Sequence, residues 1–200
     1  RGQLTSHKKF GEAEAILGGD GLLTYAFALL SNPDFPGPDK ETRLQLVSVL
    51  AHAAGSQGMV GGQYLDIDNE KKNISFDLLR TIHCSKTGAL ITAAVRMGAL
   101  TAQANQAQLD ALTRYGDAIG LAFQIVDDLL DVTASTEQLG KTAGTDVEQG
   151  KATYPAFFGK KKTQALAQEA VNSAQEALSS FDERAKPLRA LAQYIFDRTC

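Results

Sequence analysis

Fifteen residues from Ala118 to Val132, AIGLAFQIVDDLLDV, contain only three charges, all carboxylates: Asp127, Asp128 and Asp131. None of them has a Lys or Arg three or four positions away. Asp127 and Asp131 lie one helical turn apart and share a face, with Gln124 a turn earlier on nearly the same face. Two like charges about 6 Å apart repel by roughly 3 kcal/mol at an effective dielectric near 20, so an apolar helix keeps three of them only with a counter-ion. The ordinary alternative is a solvated acidic face. The apolar flanks and the lack of a basic neighbour along the helix argue against it. Hard oxygen ligands of this kind point to Mg²⁺ or a related divalent cation.

Gly140-Lys141 follows, then Gly144-Thr145-Asp146 and Gly150-Lys151, a glycine-bearing stretch with two cations and a further carboxylate. Such a stretch can bring ammonium groups over a metal-bound polyanion. Pyrophosphate suits it, because the metal neutralises some oxygens while lysines act as point charges on others. A surface lysine alone carries little meaning; placement just after the aspartate helix gives Lys141 and Lys151 theirs. Upstream, Ile82-His83-Cys84-Ser85-Lys86-Thr87-Gly88-Ala89-Leu90 puts a cation and a hydroxyl at an expected helix kink, where backbone carbonyls leave the helical ladder. A snorkelling Lys86 beside a packing glycine is an equally good reading of that segment alone.

Other matches fail. Gly140-Lys141-Thr142 imitates the tail of a P-loop, but no glycine stands at Ser135 and no strand precedes it. Lys86-Thr87-Gly88 falls in a helical pattern, and Asp66-Ile67-Asp68-Asn69 lacks the glycine and terminal glutamate of a calcium loop. His7, His52 and His83 are scattered and read as structural.

The elements that must hold these groups are helices. The prolines fall where periodic segments begin or end, and no alternating strand pattern competes. The pattern predicts a helix from Glu12 to Ser31, a break at Asn32 to Pro38, and a second helix capped by Asp39 and running towards Tyr64. A third, capped by Ser75, continues through Leu79, Ile82, Leu90 and Val95 with its kink at Lys86-Thr87-Gly88. Leu109, Leu112, Gly116, Ile119, Phe123, Val126 and Leu130 recur at steps of three and four, one buried stripe of a fourth helix. After the Gly-, Thr- and Ser-rich stretch from Thr133 to Thr153, shorter helices are expected near Pro155, from about Lys161 to Glu183, and from Pro187 onward.

At 200 residues, 44% of them hydrophobic, the chain has enough apolar material for a substantial core in one domain. With 20 Lys+Arg against 23 Asp+Glu the net charge is −3, and no basic tract is interleaved with aromatics, so no nucleic-acid partner is expected. The uncharged stretches fall short of the roughly 18 consecutive apolar residues of a membrane span, so none is expected. Cys84 and Cys200 are too few for a disulfide framework, which fits a reduced, cytoplasmic setting. Arg1-Gly2-Gln3-Leu4 shows neither an initiator Met nor a signal pattern. The expectation is a sequence that begins inside a larger unit.

The stretches Phe10-Gly11-Glu12-Ala13-Glu14-Ala15-Ile16-Leu17, Gly61-Gly62-Gln63-Tyr64-Leu65-Asp66, Lys86-Thr87-Gly88-Ala89-Leu90 and Phe123 to Asp131, the last followed by Gly140-Lys141, resemble the trans-isoprenyl diphosphate synthases. Within them, the likeness is to the bacterial farnesyl diphosphate synthase type. The resemblance implies an all-α bundle of packed helices around a central apolar cavity. It also implies a prenyltransferase that condenses an allylic diphosphate, dimethylallyl or geranyl, with isopentenyl diphosphate to a short-chain product such as farnesyl diphosphate. By the same resemblance Asp127, Asp128 and Asp131 form a second aspartate-rich motif binding Mg²⁺ across the allylic diphosphate, with Lys86 and Lys141 on that diphosphate. Thr87 and Gln124 direct oxygens at the allylic cation, Arg1 contacts the diphosphate of isopentenyl diphosphate, and Asp146 and Lys151 lie around metal and phosphates. The family's first aspartate-rich motif belongs immediately before Arg1. Residues 1–200 are therefore expected to be the C-terminal part of a single domain, inactive by themselves, from a cytoplasmic homodimer. A terpene cyclase and a non-catalytic partner subunit remain the alternatives.

Overall fold

The computed structural model describes residues 3–34, 36–133 and 151–198. The described residues form helices joined by turns, without a strand among them. A short α1 (Ser6–Phe10) precedes α2 (Glu12–Ser31), whose bounds are those expected from sequence. Glu12 and Glu14 in its first turn complement the helix dipole. None of the residues of α2 is buried, although it packs beside α1 and α3. By length and composition this helix could cross a membrane, with a mean hydropathy of 1.3 and Asp20 in its interior. Glu12, Glu14 and Asp20 nevertheless keep it short of eighteen consecutive apolar residues, as expected from sequence.

The second helix opens as expected: the Asp39 carboxylate accepts from the Thr42 N–H at 2.9 Å and caps α3 (Lys40–Ala54). That bond holds the Asp39 carboxyl below its ordinary pKa. The helix does not run through to Tyr64. It stops at Gly55, whose N–H reaches the Ala51 carbonyl at 3.0 Å, and a turn closed by the Gly58 N–H on the Gly55 carbonyl starts α4 (Met59–Asp68) in a new direction.

Ser75 caps α5 (Phe76–His83) as expected, its hydroxyl accepting from Leu78 N–H at 3.2 Å. The expected kink takes a definite form: Cys84–Gly88 is a π-helical turn between α5 and α6 (Ala89–Thr101). Next comes α7 (Gln106–Thr133), entered through a reciprocal cap in which Asn105 and Gln108 exchange side-chain to N–H bonds at 3.0 Å. It is the central helix, packing against α5, the π turn, α6 and both C-terminal helices. Leu109, Gly116, Ile119 and Val126 of the expected stripe are buried, and Leu112, Phe123 and Leu130 are partly so.

Pro155 sits in the first turn of α8 (Tyr154–Ala177), which bends at Gly159 (φ 72°) and so contains both the expected short helix near Pro155 and the one after it. The second part ends at Ala177 rather than Glu183. There the Arg189 guanidinium collects the carbonyls of Leu178, Phe181 and Asp182 at 2.9, 2.7 and 3.1 Å, stabilising a turn instead of more helix. A single 3₁₀ turn (Glu183–Ala185) leads into α9 (Lys186–Asp197).

The core lies where α7 meets α8 and α9. Tyr115, Ala122, Val171, Ala174, Leu178 and Ala192 are sealed from solvent, and the Tyr115 hydroxyl donates to the Leu188 carbonyl at 2.8 Å. A second cluster, Leu79, Ile125, Val126, Tyr154 and Ala167, lies beneath the acidic end of α7 and makes it a rigid platform.

Candidate active site

The end of α4, α5, the π turn, the last turns of α7 and the lead-in to α8 enclose a cleft of about 310 Å³. Its walls carry Asp66, His83, Lys86, Thr87, Gln124, Asp127, Asp128 and Lys151, with Leu79, Ile82 and Phe123 as its apolar part. The structure thus brings together six of the residues expected from sequence: Lys86, Thr87, Gln124, Asp127, Asp128 and Lys151. Asp131 is not on this wall; it is 3% exposed, one turn further along α7. Arg1, Lys141 and Asp146 lie outside the described residues.

Close backbone approach sets the π turn in place. A Cβ on Gly62 of α4 would lie 2.3 Å from the Lys86 nitrogen, and one on Gly120 of α7 would lie 2.8 Å from Gly88 Cα. Glycine at both points lets the turn bearing Lys86 and Thr87 sink between α4 and α7. A π turn also loosens the i→i−4 ladder and turns side chains that an α-helix would space evenly, and such turns recur at functional sites.

The electrostatics contain three partners that sequence reasoning missed. Lys86 Nζ lies 2.6 Å from Asp66 Oδ2, so the cation is oriented by a carboxylate twenty residues away. Asp66 belongs to the Gly61 to Asp66 stretch already singled out, but nothing in its spacing marks it as an acid facing Lys86. Arg198, just beyond α9, reaches Asp127 Oδ1 at 2.8 Å. The view that these acids have no basic partner held only along the helix; the counter-ion of Asp127 arrives through tertiary packing. Asp128, 7% exposed, accepts the Tyr154 N–H at 2.9 Å and has His83 Nε2 at 3.8 Å.

Burial lowers the pKa of His83 to about 4; Asp66 opposes that shift and Lys86 adds to it. The ring is therefore neutral near pH 7, and its approach to Asp128 is a polar contact rather than an ion pair. It stacks on Tyr154 with centroids 5.6 Å apart and planes at 14°. Burial also pushes the Tyr154 phenol up to about 12, so it stays protonated.

Among the described residues no group of three or more Asp, Glu, His or Cys converges as an all-protein metal cage. The donor chemistry nevertheless fits Mg²⁺. That ion keeps several waters and takes one or two carboxylates along with phosphate oxygens, and Asp127 and Asp128 on one wall supply that number.

The central helix of an all-helical bundle thus presents carboxylates in the same apolar-backed cleft as an ammonium group. The profile of the polyprenyl synthetase family matches residues 1–189, and the chain belongs to that family. It is 46% identical over 202 residues to the farnesyl diphosphate synthase of Escherichia coli K12, covering 99% of this chain and 68% of that one. It is 46% identical over 200 residues to the dimethylallyltranstransferase of Fischerella ambigua, covering 100% of this chain and 58% of the other. Its fold matches that of the Helicobacter pylori geranyltransferase crystallised with magnesium and isoprenyl diphosphate, with a TM-score of 0.80 at 30% identity over 98% of this chain and 63% of that one. The fold is the all-α isoprenoid synthase fold. The chain spans about three fifths to two thirds of the length of these relatives.

Proposed function

We propose that the protein is a trans-prenyltransferase joining an allylic diphosphate, dimethylallyl or geranyl, to isopentenyl diphosphate, with a short-chain product of the farnesyl type. Residues 1–200 would be the diphosphate-ionising, C-terminal part of that single domain. The observation that carries this reading is the convergence of Lys86, Thr87, Gln124, Asp127 and Asp128 on one cleft from two helical segments far apart in sequence.

In this reading Asp127 and Asp128, with Asp131 behind them, would hold Mg²⁺, which when bound neutralises charge developing on the departing pyrophosphate. Lys86, held by Asp66, places an ammonium on that same leaving group. Lys141 and Lys151 add cations and Asp146 a carboxylate around it, and Arg1 binds the second diphosphate. The Thr87 hydroxyl and the Gln124 amide oxygen face the allylic carbon as its C–O bond breaks. Leu79, Ile82 and Phe123 keep water from that carbon, so the double bond of isopentenyl diphosphate attacks it instead. A new C–C bond forms, and the proton lost from the adjacent carbon passes to the released pyrophosphate. We place this enzyme in the cytoplasm as a homodimer, as the family resemblance implies; the bare apolar surface of α2 supports an assembled state.

The test is an assay of the full-length protein with Mg²⁺, geranyl diphosphate and isopentenyl diphosphate, read by chromatography of the dephosphorylated products. Condensation is expected, and Asp128→Ala should lower kcat by orders of magnitude without unfolding the protein. Turnover of geranyl diphosphate that needs no isopentenyl diphosphate and gives a cyclised hydrocarbon would replace this reading with a cyclase.

A further inference from the structure

Residues 151–168 carry four cations, Lys151, Lys160, Lys161 and Lys162, and no carboxylate, in a chain whose net charge is −3. Within that run Phe157, Phe158 and the three consecutive lysines are all exposed. Phe157 is 41% and Phe158 39% exposed, a large share for adjacent aromatic side chains. Each also meets the Phe76 ring edge-on, with centroids 5.7 and 4.8 Å away, so both rings are anchored on α5. Gly159, at φ 72°, breaks α8 between the rings and the lysines. A groove of about 410 Å³ runs beside them, lined by Lys72, Ile74 and Phe157, and it shares Lys151 and Ala152 with the candidate active site.

We propose that this end of α8 is a docking surface for an anionic bilayer, with Phe157 and Phe158 entering the headgroup region while Lys160, Lys161 and Lys162 meet lipid phosphates. Aromatic rings settle at the boundary between water and lipid, and each lysine near a negative leaflet adds its own attraction. Asp77, exposed beside Phe76, opposes that attraction with one charge against three. Lys72 adds little, because Asp68 lies 3.3 Å from its ammonium. Charge also decides against the other exposed apolar surface: α2 carries Glu12, Glu14 and Asp20 and no Lys or Arg, so a negative leaflet repels it. Docking through α8 sets the groove, and with it the adjoining cleft, beside the bilayer, where an amphipathic product leaves into lipid instead of water. That use rests on the reading of the cleft as a prenyltransferase site; the docking itself does not.

The test uses the full-length protein and vesicles of phosphatidylcholine, alone or with about one third phosphatidylglycerol, read by co-sedimentation. Binding is expected to the mixed vesicles only, and should be lost in about 1 M salt. The combined variant Lys160→Gln, Lys161→Gln, Lys162→Gln should bind on the order of a hundredfold more weakly, with kcat on soluble substrates unchanged. Residues 1–200 contain no Trp, so the emission that Phe157→Trp adds to the wild-type spectrum reports this position. It should shift to the blue and lose acrylamide quenching when mixed vesicles are added. No binding to mixed vesicles, equal binding to both vesicle types, or a triple variant that binds as the wild type does overturns the proposal. So does added emission that is blue and shielded before any vesicle is present, since the rest of the chain or a second copy then covers the patch. Vesicle binding needs no substrate, so a protein that docks as stated yet condenses no diphosphates overturns only the reading of the cleft.

Discussion

Side chains in the cleft differ in what holds them, and that difference sets what each substitution does. Lys86 meets its anion as a point charge, so Lys86→Ala in the full-length enzyme should raise KM for the allylic diphosphate by at least about tenfold, the worth of a charge-assisted hydrogen bond. KM for isopentenyl diphosphate should move far less in the same steady-state measurement. His83 contributes through its proton balance. Its folded pKa is depressed from 6.5 to about 4, so as pH falls below 6.5 the unfolded chain takes up a proton that the folded one refuses. Stability present above pH 6.5 is therefore lost between pH 6.5 and 4, amounting to about 3 kcal/mol. Denaturant midpoints of the metal-free protein should fall steeply over that window, and His83→Gln should flatten this component. The acids stood out in sequence by their apolar flanks and helical spacing and Gln124 by sharing their face, whereas Lys86 and Thr87 read equally well as a surface cation beside a packing glycine and took their roles from the family resemblance. Asp66, His83 and Arg198 were not legible, because their meaning lies in partners brought together by folding: Arg198 and Asp127 are 71 positions apart.

At the level of elements, the cleft depends on how closely helices approach. An added methyl at Gly62 meets the backbone of the π turn, which cannot swing aside as a side-chain tip would. Gly62→Ala should thus cost about 1 to 3 kcal/mol, seen as a lower Tm, together with a raised KM for the allylic substrate as Lys86 shifts. Gly120→Ala, whose Cβ would meet Gly88, should show the same pair of effects. Helix starts were readable at Asp39, Ser75 and Pro155 because caps are local chemistry. The early stops of α3 at Gly55 and of α8 at Ala177 were not. The first depends on a turn whose value appears only once α4 packs back, and the second on Arg189 returning from the following helix.

For the molecule as a whole, the telling surface is α2, where Ile16, Leu17, Leu22 and Tyr25 are all exposed. Exposed apolar side chains are costly to leave in water, at roughly 25 cal/mol per Å². If a second copy covers it, Leu17→Glu with Leu22→Glu in the full-length protein should halve the mass measured by light scattering while leaving helical circular dichroism intact. An unchanged mass would remove α2 from the subunit contact. The sequence pattern predicted the bounds of this helix but not which neighbour it faces, since its apolar residues are not confined to one stripe.

The π turn at Cys84–Gly88 holds a surplus residue relative to a regular helix. Losing any one of those five would let α5 and α6 fuse into a regular helix in nearly the same phase, and the segment bearing Lys86 and Thr87 would lose the local widening that now aims those side chains. Divergence of this chain should therefore tolerate exchanges of side chain at Cys84 or Ser85 far better than a single-codon deletion there, making the count of residues, more than their identity, the inherited trait.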